Sequence, residues 1–355
     1  MKLVWPTIEV LKTLDKAGVL DPRVKKELDS ARSLTDRTQK ITQLAKAVEL
    51  AVAYEPLIAD AKKGFARGTP DIHKSATAKA KTTVYEVRSH TGAAWRGAVV
   101  CPEDDEDAWL VYADRHDLFH KAGPDAIAKK HKSKALGPSL LDRRVREKCA
   151  GWAADKSCNK QILDGVVDAL RSITGGTKSV ELPLPAESGF TDAVVTMTVN
   201  PVIDIDADPL NAHEKVSVIR LDFIESTMTY ETRAKLIRLL SHFLQPDELM
   251  LESLYRNGTF TLDILVTQAR LIHLLGTGAE GRLDFEAFPP KPTKLHYALK
   301  TAIAEAYVEG CAVQAVCGRW WVPIGDEKTH SELPVCPECQ TQQPFAQAIK
   351  ALARG

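Results

Sequence analysis

Val84-Tyr85-Glu86-Val87-Arg88, Ala94-Trp95-Arg96-Gly97-Ala98-Val99-Val100 and Ala108-Trp109-Leu110-Val111-Tyr112 are three short runs that decide how the first half of the chain folds. Each is rich in β-branched and aromatic residues, which suit a pleated, half-buried surface. We read strands over 83–88, 94–101 and 108–113. The acidic stretch Pro102-Glu103-Asp104-Asp105-Glu106-Asp107 separates the last two as a solvated hairpin loop, so the three strands predict a small antiparallel meander. Upstream, Ile8, Leu11 and Leu14 recur at helical spacing. Pro22 sits where a first helical turn tolerates it, and Thr35 is placed to cap a long segment through Ile41, Leu44, Val48, Ala51 and Tyr54. Residues 64–82 read as a Gly/Pro/Lys-rich connector.

Downstream, residues 115–148 read as helical and strongly basic, and 149–173 as one more helix ended at Gly175-Gly176. A second set of strands is expected over 179–184, 193–199 and 215–224. Helices are expected over 229–243, 247–255 and 262–275. Pro289-Pro290-Lys291-Pro292 cannot continue a helix and reads as a linker. The expected class is α+β: a helical and basic domain at 1–150, an α+β domain at 151–288 and a small module at 289–355.

With 355 residues and 44% hydrophobic side chains, the chain can bury a core in each part. It has no run of eighteen apolar residues, and Met1-Lys2-Leu3-Val4-Trp5-Pro6 lacks the apolar segment of an export signal, so we expect a cytoplasmic protein with no membrane contact. Seven cysteines, at 101, 149, 158, 311, 317, 336 and 339, are an odd count in a chain that shows no export signal, so no disulfide framework is expected. The formal net charge is zero, yet residues 62–148 carry 18 basic against 12 acidic side chains and residues 149–355 carry 19 against 26. A basic first half can meet a polyanion. The acidic remainder can engage a protein partner or the basic half itself.

Four cysteines crowd the C-terminal end. In Cys336-Pro337-Glu338-Cys339 two thiolates can point at one ion, and Cys317-Gly318 imitates half of such a knuckle. A tetrahedral zinc site needs one more ligand, from His296, Cys311 or His330. His296-Tyr297, a helix, Cys317-Gly318-Arg319 with Trp321 and Pro323, and the Cys336–Cys339 knuckle together resemble an uncharacterised actinobacterial and phage zinc-ribbon-like family. That resemblance favours His296 as the fourth ligand. It implies a structural Zn2+ that contributes folding energy and not chemistry.

Chemistry, if present, belongs to residues 83–121. Arg88 and Arg96 lie on adjacent strands, with Arg115, His116, His120 and Lys121 just past the third. Guanidinium groups hold phosphate oxygens, and a histidine titrating near neutrality moves the protons of a 2′-hydroxyl attack. The order of helical pair, Tyr-x-Val-Arg strand, Trp-Arg strand, apolar strand and basic residues resembles the RelE/HigB toxin superfamily. Residues 2–5 would supply that family's opening strand. The resemblance implies that Arg88, Arg96 and Arg115 or His116 are catalytic. It departs from the family at Gly97, where a bulky residue is common, and at Arg115-His116-Asp117, where two lysines are usual. Lys129–Lys134 and Arg143-Arg144 with Arg146 add basic surface suited to phosphate contact without sequence reading.

Two further motifs are set aside. Gly175–Ser179 lacks the spacing of a phosphate loop, so no small-molecule cofactor is expected, and Asp204, Asp206 and Asp208 lack the offsets of a calcium loop. The sequence thus predicts an RNA- or ribosome-directed protein, up to an endoribonuclease of the toxin or phage-defence kind, with a structural zinc. The alternative is a non-enzymatic, zinc-containing regulatory protein that binds a protein partner.

Overall fold

The structure is a computed structural model. It describes residues 2–352 apart from 69–70, 90–93, 177, 186–189, 191–192, 207–211, 214, 225–227, 246, 248–249, 279–287, 289–291, 300–301, 304–305, 307–311 and 324–331. Sheets and helices share the chain, which is of the mixed α+β class. It divides into two compact units, Met1–Ala154 and Asp155–Gly355.

In the first unit, strand β1 (Val4–Pro6) leads into α1 (Ile8–Lys16), α2 (Pro22–Ser33), α3 (Arg37–Tyr54) and α4 (Pro56–Arg67). Their starts are chemically marked. Thr7 accepts the Val10 amide, Asp21 accepts the Arg23 amide ahead of Pro22, and Pro56 opens α4 with a missing donor that costs nothing there. Asp36, and not Thr35, caps α3 by accepting the Gln39 amide. The expected connector holds the end of α4 and a further helix, α5 (Lys74–Ala80).

Strands β2 (Tyr85–Arg88), β3 (Trp95–Val100) and β4 (Ala108–Arg115) form the expected antiparallel meander. The opening strand joins it parallel to β4, giving the order β1-β4-β3-β2 and a mixed sheet. Alternation then separates two cores. Val87, Trp95, Val99 and Leu110 pack with α1–α4 on one face; Val84, Ala98, Val100, Trp109 and Val111 pack with α5, α6 (His116–Lys121) and α7 (Gly123–Lys132) on the other. The expected basic helical stretch is therefore three elements: α6, α7 and the first turns of α8 (Leu140–Thr174), which continues without a break through residue 149.

In the second unit, β5 (Val180–Glu181), β6 (Val195–Asn200), β7 (Val216–Ile224), β8 (Leu251–Arg256) and β9 (Thr259–Thr267) make an antiparallel sheet of order β5-β6-β7-β9-β8. Its inward residues Met197, Ile219, Leu221, Phe223, Leu262 and Ile264 are buried with α9 (Tyr230–Leu244), α10 (Gln268–Thr277) and the C-terminal half of α8. The helices expected over 247–255 and from 262 are instead β8 and β9. Asn257 and Gly258, at φ 52 and 76, make the tight turn that joins them. Only Gln268–Thr277 of that stretch is helical. Beyond it lie the ribbon β10 (Val313–Gln314) with β11 (Trp320–Trp321), and α11 (Pro337–Leu352). Among the described residues, no helix is long and apolar enough to cross a membrane.

Candidate functional site

The C-terminal cluster is built by three backbone devices. The hairpin between β10 and β11 closes through Ala315 N–H to Arg319 O and Gly318 N–H to Ala315 O, and Gly318 takes φ +87, a conformation that side chains resist. That turn presents Cys317. Leu295 and Val335 form a parallel bridge in which the Cys336 amide donates to Leu295 O, bringing His296 beside the knuckle. The Val316 amide donates to Tyr297 O and draws the hairpin onto the same strand. Cys336 immediately precedes α11 and Cys339 lies in its first turn, where the helix end favours negative charge.

One ligand atom from each of His296, Cys317, Cys336 and Cys339 lies within 4.8 Å of the other three. His296 Nδ1 is 3.5 Å from both Cys317 Sγ and Cys339 Sγ. A tetrahedral ion about 2.3 Å from sulfur and about 2.0 Å from nitrogen would hold those atoms roughly 3.5 Å apart. The residues therefore fit a four-coordinate metal. Cys336 and Cys339 are fully buried, which closes the site to solvent on their side. Burial pushes the Cys317 thiol up to about 12 and raises that of Cys336. Burial also pushes against ionisation of Cys339, but the Tyr297 amide and the His296 ring outweigh it and leave this thiol below its usual range. Thiols ionise as they coordinate a cation, so metal binding at such a donor set releases protons. The other candidate ligands, Cys311 and His330, lie outside the described residues.

The second cluster lies on the first unit's sheet. Arg88 and Arg96 are direct cross-strand partners. Both reach the same oxygen of Glu86: Arg96 Nε at 3.2 Å, Arg88 Nε at 3.5 Å. His120 Nε2 lies 3.6 Å from it. His116, one turn earlier on α6, has its ring centre 4.7 Å from that of His120. The structure therefore brings Arg88, Arg96, His116 and His120 together. Arg115 is not among them. It pairs in register with Trp95, whereas Asp114 pairs with Arg96, so alternation turns Arg115 to the opposite face.

Two members of this cluster were missed in the sequence. Glu86 sits two residues before Arg88 and so shares its face, a signal that strand alternation carries. His73 has no local signal. It arrives because its amide donates to Val84 O beside the Ile72–Tyr85 bridge. Its ring stacks on that of His120 at 5.4 Å. Burial holds His120 below the usual histidine range, with Glu86 pulling it back up and His116, His73 and Arg96 pushing it down.

The basic runs divide. Arg143 bonds Asp104 and Asp105, and Arg146 pairs with Asp105 and Asp107, so the acidic hairpin loop neutralises the start of α8. Lys130 pairs with Glu9, while Lys129, Lys132 and Lys134 are exposed. Of the aspartate run, Asp204 pairs with Lys215, and Asp208 lies outside the described residues.

Neither the curated proteins nor the solved structures give a match to this chain. Residues 290–343, the segment that carries His296, Cys317, Cys336 and Cys339, match the model of a family described as a protein of unknown function (DUF3039).

Proposed function

We propose that the protein acts on RNA through the first unit's cleft, in the manner of a RelE-like endoribonuclease, and that the Cys/His centre is a zinc-ribbon-like structural zinc site. The observation that carries the first part is the convergence of Arg96, Arg88 and His120 on one oxygen of Glu86 at 3.2–3.6 Å, with His116 beside them. Two guanidinium groups at that spacing match the oxygens of one phosphodiester. The His120 imidazole next to them, whose burial disfavours its charged form, can accept the proton of an attacking 2′-hydroxyl. The opening strand paired to β4 supports the RelE-like reading of the topology. The zinc assignment rests on the three sulfurs and one nitrogen, a donor set that suits zinc, and bound zinc would tie the hairpin, the residue 295–297 segment and α11 into one fold.

A second reading has its own support. Asp71 lies 3.9 Å from Arg88, and Asp114 is paired in register with Arg96, so with Glu86 the cleft's formal charge is close to balanced. Such a surface suits a non-enzymatic contact with a protein partner. Incubation of the purified full chain with labelled RNA and with ribosomes separates the two. The RNA reading expects cleavage that Arg88→Ala/Arg96→Ala abolishes. It is wrong if wild type and double variant leave RNA equally intact and neither is retained on it at low salt.

A further inference from the structure

Glu86 lies on the edge strand β2, yet its carboxylate is turned under neighbouring side chains. Its side chain is 9% exposed, and Oε1 is shut from water and makes no well-aligned hydrogen bond among the described residues, although Arg96, Arg88 and His120 stand 3.2–3.6 Å away. A buried carboxylate oxygen left so is costly, and its surroundings must recover that cost. Two explanations are open: a metal ion, or a device that orders its neighbours.

His73, Glu86 and His120 place one ligand atom each within 4.8 Å of the others, the composition of a two-histidine, one-carboxylate metal site. The chemistry of His73 argues against it. Its Nδ1 accepts the Ala76 amide at 3.1 Å and caps α5. That lone pair is spent, so in the neutral ring the proton sits on Nε2, and neither nitrogen has a pair to give. Two guanidinium groups already stand at Glu86 Oε1, and a divalent ion there would crowd a third cation onto one oxygen.

We infer that Glu86 is a positioning residue, holding His120 as the group that takes the substrate's hydroxyl proton and Arg96 as the group that meets its phosphate, with no metal between them. This rests on the RNA reading above. The His73 ring, tilted 21° from that of His120, and the edge of Phe119 at 5.5 Å fix the plane in which His120 works. In the step itself the 2′-oxygen forms its bond to phosphorus as the bond to the 5′-oxygen breaks. The hydroxyl proton passes to neutral His120, and the departing 5′-oxygen takes a proton from the imidazolium form of His116. The products are a 2′,3′-cyclic phosphate and a 5′-hydroxyl.

Among the described residues, the charged and titratable groups that act on His120 are Glu86 from β2, Arg96 from β3, His73 ahead of α5 and His116 on its own helix, with Arg88 at the same Glu86 oxygen and Asp114 of β4 opposite Arg96. Glu86 is the neighbour whose charge favours the protonated form. Its neutralisation therefore lowers the pH at which His120 titrates.

The test uses histidine ring-proton NMR on the full chain, with His120→Gln to assign the signal. Glu86→Gln should lower the His120 midpoint by about half a unit or more, the effect of removing an opposite charge at this distance from a partly solvated group. The acidic limb of the RNA-cleavage profile should move the same way while the rate falls at least about tenfold, the scale of one misplaced acid–base group. Glu86→Asp, which keeps the charge, should restore the midpoint and serves where Glu86→Gln fails to fold. An unmoved midpoint overturns the inference. So does one equivalent less of bound metal in His120→Gln than in wild type. If wild type cleaves no RNA, the RNA reading fails, but the midpoint still decides whether Glu86 holds His120.

Discussion

Gly97 is the residue on which the spacing of β2, β3 and β4 depends, and Gly97→Ala measures that dependence. Strand glycines usually gain from replacement by alanine, by about 0.5–1 kcal/mol, because the unfolded chain loses freedom. Here a Cβ would stand 2.5 Å from Leu110 Cδ1, 2.8 Å from Val87 Cγ2 and 3.5 Å from Leu57 Cδ2. Carbon pairs rest at about 3.5–4.0 Å, so Leu110 must retreat by roughly 1 Å. Leu110 is 0% exposed and Val87 4%, and they flank the site from both neighbouring strands, so neither has open space to enter. Overpacking of this kind costs about 1–3 kcal/mol. With two buried neighbours in the way the clash outweighs the entropic gain, and the net loss is up to about 2.5 kcal/mol. For a unit of this size that lowers the melting temperature by up to roughly 10 °C. Tryptophan fluorescence reports it directly, since Trp95 and Trp109 lie buried in the two cores of this sheet. A variant as stable as wild type, or more so, refutes the reasoning.

Two further substitutions test how buried polar groups stabilise each unit internally. Asp142 accepts the amides of Ile8 and Ser139 at 2.8 Å and the Ser139 hydroxyl at 2.6 Å, so Asp142→Ala should cost about 2–4 kcal/mol and Asp142→Asn less, as read by urea unfolding; equal stabilities contradict this. Arg270, lowered to about 10 by burial yet protonated at neutral pH, donates to the carbonyls of Leu244 and Phe243 at the end of α9. Arg270→Met keeps the bulk and strands both carbonyls, and should lower stability by about 2–4 kcal/mol in a thermal melt, with no change counting against the capping role.

The sheet of the first unit was legible because one face is buried under each helical layer, which imprints alternation on Val84–Arg88 and Trp95–Val100. The hairpin of β8 and β9 was misread because Leu251, Leu254, Leu262 and Leu265 also fall at helical spacing. The Asn257-Gly258 turn between them was the stronger signal, since both residues take positive φ. Helix α5 escaped notice because Lys74–Ala80 spans barely two turns and buries only Ala76 and Ala80. The grouping of Cys317, Cys336 and Cys339 was legible from spacing, since a knuckle is local, whereas His296 entered only through the family resemblance. The side-chain cluster on the first unit's sheet was half legible: its arginines and His120 announce themselves, whereas His73 arrives through a backbone bond to Val84 that no local pattern encodes.

Metal analysis of the purified full chain tests most directly the claim that His296, Cys317, Cys336 and Cys339 form one centre. The account predicts one equivalent of zinc per chain, lost in Cys336→Ser/Cys339→Ser and in His296→Ala, with the melting of the second unit lowered when a chelator strips the ion. Wild-type protein that folds without metal, and takes up none when zinc is supplied under reducing conditions, would contradict it.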